Sequence, residues 1–116
     1  AIGDVHIVDV DSCKSVITIR AHASKIVAMA FNETGDFIAT ASENGRYINV
    51  FYADTGKIAY EFYRGSSTAV IYDIVFRYNL VIVSANSGTI HIFKFNSAHF
   101  ESSTSTSSEI VHIIKR

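Results

Sequence analysis

Apolar runs broken by turn residues dominate this chain. Ile26-Val27-Ala28-Met29-Ala30-Phe31 is followed by Asn32-Glu33-Thr34-Gly35-Asp36, and Phe37-Ile38-Ala39-Thr40-Ala41 is closed by Glu43-Asn44-Gly45. Tyr47-Ile48-Asn49-Val50-Phe51 then alternates with a period of two, and Ala53-Asp54-Thr55-Gly56 turns it into Lys57–Phe62. Short runs of this kind, alternating or wholly apolar and punctuated by Gly, Asn and Asp, predict β-strands joined by tight turns. No comparable window carries helical spacing, so the predicted fold class is all-β.

The strands repeat. Ser42 aligns with Ser84, Ile48 with Ile90 and Phe51 with Phe93, a spacing of 42 residues in each case. A partial earlier copy, Gly3–Val8, places Val8 43 residues before Phe51, and Lys14–Ile19 matches Lys57–Phe62. Ile26–Phe31 matches Ile71–Phe76, with extra residues around Arg64-Gly65-Ser66-Ser67. Four short antiparallel strands in every 40 to 45 residues, roughly, are the signature of a WD40-like β-propeller blade. Residues 1–20 are expected to end one blade, 21–62 to form a complete blade, and 63–116 to form the next. In that last blade a Ser/Thr-rich loop at 97–109 precedes a final strand at 110–114. This amounts to a fragment of a ring, whose closure calls for further blades.

Composition narrows the function classes. The net charge is −1, so recognition of nucleic acid is not expected and any anion site must be local. The single cysteine, Cys13, excludes an internal disulfide framework and fits a reducing compartment. Among the five histidines, His6, His22, His91, His99 and His112, no metal-ligand spacing occurs. There is no Ser-His-acid set, no paired carboxylates and no phosphate-cradling glycine loop, so no enzyme and no cofactor is expected. The candidate chemistry rests on one cation. Arg64 follows a strand and precedes a Gly-Ser-Ser-Thr joint, which places a planar, permanently charged guanidinium between two repeats.

Three stretches carry a resemblance. Ile38–Gly45, Glu61-Phe62-Tyr63-Arg64-Gly65 continuing to Ala69–Tyr72, and Ser87–Phe93 resemble the PROPPIN family of propellers, which includes the WIPI proteins of animals. The resemblance implies the fourth, fifth and sixth blades of a seven-bladed ring. It further implies binding to PtdIns3P or PtdIns(3,5)P2 in autophagy or in endosomal and vacuolar traffic. The protein would be cytoplasmic, recruited peripherally to autophagosomal, endosomal or vacuolar membranes, with autophagy or trafficking proteins as partners.

The family's hallmark is Phe-Arg-Arg-Gly; here it reads Phe62-Tyr63-Arg64-Gly65, with a neutral phenol in place of the first arginine. The resemblance assigns one headgroup site to Arg64 with Ser84, Thr89 and His91. The other, weaker site is His22, Ser42 and Tyr63, with Arg46 as a neighbouring charge. Plainer roles stand beside these: His22 bracing the blade by a hydrogen bond to Ser42, Thr89 and His91 simply facing water, and Arg64 as a solvated rim charge. The alternative function is a protein-interaction scaffold with degenerate lipid sites.

Overall fold

The computed structural model describes residues 2–86 and 88–95, and residues 110–114 as backbone. The strands are β1 (Asp4–Asp9), β2 (Lys14–Arg20), β3 (Ile26–Phe31), β4 (Phe37–Ser42), β5 (Tyr47–Tyr52), β6 (Ile58–Tyr63), β7 (Ile71–Arg77), β8 (Leu80–Ala85), β9 (Thr89–Lys94) and β10 (Ile110–Ile114). They form three antiparallel sheets in chain order: β1-β2, then β3-β4-β5-β6, then β7-β8-β9-β10. Within each sheet the strands pair in sequence order, and up to β9 the paired strands are joined by short turns. The result is an all-β fragment of a propeller. The expected Ser/Thr-rich loop at 97–109 lies outside the described residues. We keep the blade divisions at 1–20, 21–62 and 63–116 as a proposal; Tyr63, which ends β6, stands just past the second of them.

Register decides which face each side chain takes, because directly paired residues share a face and the side-chain period is two. On the middle sheet, Ile38 and Phe51 pair and join Val5, Ile19 and Ala21 in a core against β1-β2. The other face, with Phe37, Ala39, Ala41, Ile48, Val50 and Phe62, packs against Ile74, Phe76, Val81, Val83 and Phe93 of the third sheet. Inner strand β3 runs beside inner strand β7. The second core is aromatic: the Phe62 and Phe93 rings stack at 4.9 Å, while Phe95 meets Phe37 at 5.6 Å and Phe76 at 6.1 Å edge-on. Such pairs contribute beyond their buried area, which suits a chain whose sequence contains no tryptophan.

Candidate functional site

Every seam between sheets is closed at one end by the same device. The turn before β1 and the turn between β4 and β5 each place a glycine against the connection to the next sheet. Gly3 (φ 86) accepts hydrogen bonds from the amides of Ala21 and His22, at 2.9 and 3.1 Å. A Cβ there would come within 1.9 Å of the His22 carbonyl oxygen. Gly45 (φ 69) lies against Ala69 in the same way, with 2.1 Å from an added Cβ to the Ala69 oxygen. Only glycine takes this backbone and this approach together.

At the first seam the lock is a neutral imidazole. His22 Nε2 lies 2.8 Å from Thr40 Oγ1, whose hydroxyl donates to the Asn49 carbonyl at 3.5 Å. With that hydroxyl proton committed, the hydrogen on Nε2 is the one that completes the pair. The Asn49 amide donates to the Ala21 carbonyl at 3.0 Å. Burial pushes the His22 imidazole below its ordinary value, against smaller upward pulls from Thr40 and the Glu61 carboxylate. The expected brace from His22 therefore exists, but its partner is Thr40, one turn of the strand pleat below Ser42. Ser42 is buried on that same face. Tyr63 is paired directly with Tyr47, and both point to this side, since their neighbours Ile48 and Phe62 point to the other. His22, Ser42 and Tyr63 thus share one face at one end of the seam, and Arg46 stands exposed in the adjoining turn.

At the second seam the lock is Arg64. Its amide donates to the Arg46 carbonyl at 2.7 Å, its Nε donates to the Gly45 carbonyl and its Nη2 to the Ser67 carbonyl. The guanidinium ties the β4–β5 turn to the β6–β7 connection while two of its five N–H groups are used, so further donors remain for an anion. The amides of Ala69 and Asn86 complete the closure on Asn44 and Val70, each at 3.0 Å.

The four residues assigned to this site divide. His91 pairs with Val83 and, with Thr89 two residues earlier, faces the seam that holds Arg64. Ser84 pairs with Ile90 and faces away. The reason is a one-residue change of register: Thr40 pairs with Asn49 on the middle sheet, whereas Val83 pairs with His91 on the third. Serines that align in sequence consequently occupy opposite faces. His91 is 4% exposed and stacks on Phe93 at 6.3 Å, so its imidazole is a packing group, not a rim group facing water. Arg64 and Thr89 are the members brought to the same end of one seam.

One feature escaped the sequence reading. At the opposite end of the same two sheets, a cleft of about 520 Å³ is lined by Glu33, Asp36, Asp54, Phe37, Tyr52 and Tyr78, among others. Acids in consecutive hairpin turns were its only sequence signal. Among the described residues, no group of three or more His, Cys, Asp or Glu side chains is placed to hold a metal ion.

A meander of four-stranded sheets locked at matching turns defines the β-propeller class. Within it, the PROPPIN family profile matches residues 1–114. The chain is 40% identical to autophagy-related protein 18 of Schizosaccharomyces pombe over 99 residues, which is 84% of this chain and 26% of that protein. It is 41% identical to WD repeat domain phosphoinositide-interacting protein 1 of Xenopus laevis over 95 residues, 79% of this chain and 22% of that protein. Among solved structures, Hsv2 of the yeast Kluyveromyces marxianus superposes with a TM-score of 0.76 at 31% identity, over 84% of this chain and 32% of that one. The chain belongs to the PROPPIN family, and it spans about a quarter of the length of the curated relatives it matches.

Proposed function

We propose that the protein is a non-enzymatic, phosphoinositide-binding effector of autophagy, recruited from the cytoplasm to autophagosomal, endosomal or vacuolar membranes. There it would bring autophagy or trafficking proteins to PtdIns3P or PtdIns(3,5)P2. Family membership and the name of the Xenopus laevis relative, a phosphoinositide-interacting protein, support the class of ligand. The observation that carries the reading within this chain is Arg64, a fixed positive charge seated in a glycine-closed turn, with donors left over and Thr89 at the same end of the seam. Guanidinium suits phosphate because it presents two parallel N–H donors and cannot lose its charge. Arg46 is joined to Arg64 through the backbone and supplies the neighbouring charge. Ser84, on the opposite face, is left out of this proposal, and His91 enters it only as a buried support beneath Thr89.

The test is cosedimentation with phosphatidylcholine vesicles containing PtdIns3P or PtdIns(3,5)P2. Arg64→Ala is expected to weaken binding by about tenfold or more, since charge-assisted contacts contribute about 1.5–3 kcal/mol each. Circular dichroism checks that the variant remains folded. Unchanged binding by a folded Arg64→Ala variant overturns the reading. A second reading, the protein-interaction scaffold, is favoured by Tyr63 standing where the family has an arginine and by the capture of Arg64 by two carbonyls. A scaffold binds its protein partner equally well with or without these lipids.

A further inference from the structure

We propose that Tyr47 and Tyr63 form an aromatic anchor that seats in the interface of a lipid bilayer, next to the headgroup site. This rests on the membrane reading above and assigns a role to a position where the family's charge is lost. The two residues are opposite each other on β5 and β6, at the last pair before the turn and the connection. Their rings lie 5.3 Å apart at 54°, and they remain 41% and 47% exposed. Exposed aromatics normally scatter singly; here two are braced together at the end of outer strands, so little rotamer freedom is left to lose on docking.

A phenol has an apolar body and a polar tip, which suits the boundary between headgroups and acyl chains. The charge around the pair selects the same occupant. Arg46 immediately precedes Tyr47 and Arg64 immediately follows Tyr63, so two cations flank the rings and favour an anionic surface. Of the nearby acids, Glu61 lies two residue pairs further down β6, opposite Asn49, where its charge acts on His22, and Glu43 stands at the far side of the β4–β5 turn from Tyr47. Loss of an arginine at position 63 therefore exchanges a charge contact for an apolar one. The membrane affinity it supplies is indifferent to headgroup identity and persists when salt screens the arginines.

The experiment uses vesicles of phosphatidylcholine and phosphatidylserine with PtdIns3P. Tyr63→Trp introduces a reporter into a chain without tryptophan. Its emission is expected to shift to the blue on vesicle addition and to be quenched by brominated lipids. A paired Tyr47→Ser, Tyr63→Ser variant is expected to bind about tenfold more weakly, with the deficit persisting at about 0.5 M salt. Emission that stays unshifted while the protein sediments with the vesicles overturns the anchor and leaves the headgroup reading standing. Absence of any vesicle binding by the unaltered protein overturns both.

Discussion

The two seams of this fragment close with the same backbone and lock with opposite chemistry. Gly3 and Gly45 each press a turn against the following connection at contact distance. Behind Gly3, the lock is a half-buried, neutral histidine bonded to the Thr40 side chain; behind Gly45, it is a charged, half-buried arginine bonded to main-chain carbonyls. The cores beneath differ in the same sense. The first is small and aliphatic apart from Phe51, while the second holds a stack of phenylalanines. A seam whose polar lock is turned inward onto Thr40 is braced by it. A seam that leaves its lock charged and half-exposed can also serve an external anion.

The largest expected effect comes from the aromatic core. Phe62→Ala removes the ring stacked on Phe93 and should cost about 3–5 kcal/mol, whereas Ile19→Ala in the first seam should cost about 2–4 kcal/mol. Urea denaturation measures both, and equal costs would erase the proposed asymmetry. Next in size is the turn. Gly45→Ala forces a side chain into a left-handed backbone and against the Ala69 carbonyl, at a cost of about 1–3 kcal/mol. Gly65→Ala, with nothing within 4 Å of the added carbon, should stay within about 0.5 kcal/mol. Thermal melts of the pair separate close approach from mere loop flexibility.

The smallest effect is a pH dependence confined to the first seam. His22 is depressed below 6.5 in the folded state, so the unfolded chain binds the proton more readily. Its contribution is then complete above the unfolded value and is lost as pH falls through the lower folded one. Stability should fall as pH drops below about 6.5, and less so in His22→Gln, which keeps a donor for Thr40. An equal drop in both proteins would remove His22 from the first lock.

Much of the fold was legible. Strands and turns followed from alternation and from Gly, Asn and Asp, because those signals are local. The site was legible only in part. Ser84 aligns with Ser42 by sequence, yet a register change of one residue sends it to the other face, and register is settled by packing across sheets. His22 was expected to bond Ser42, but the hydroxyl within its reach is Thr40. The capture of Arg64 left no trace in the sequence, since its acceptors are main-chain carbonyls and any residue supplies one.

The glycine contacts at Gly3 and Gly45 have a consequence for how the rim can vary. They hold each turn against the following connection through main chain touching main chain. These closures are thereby indifferent to which side chains decorate the edge, so arginine or tyrosine can stand at 63 without disturbing them.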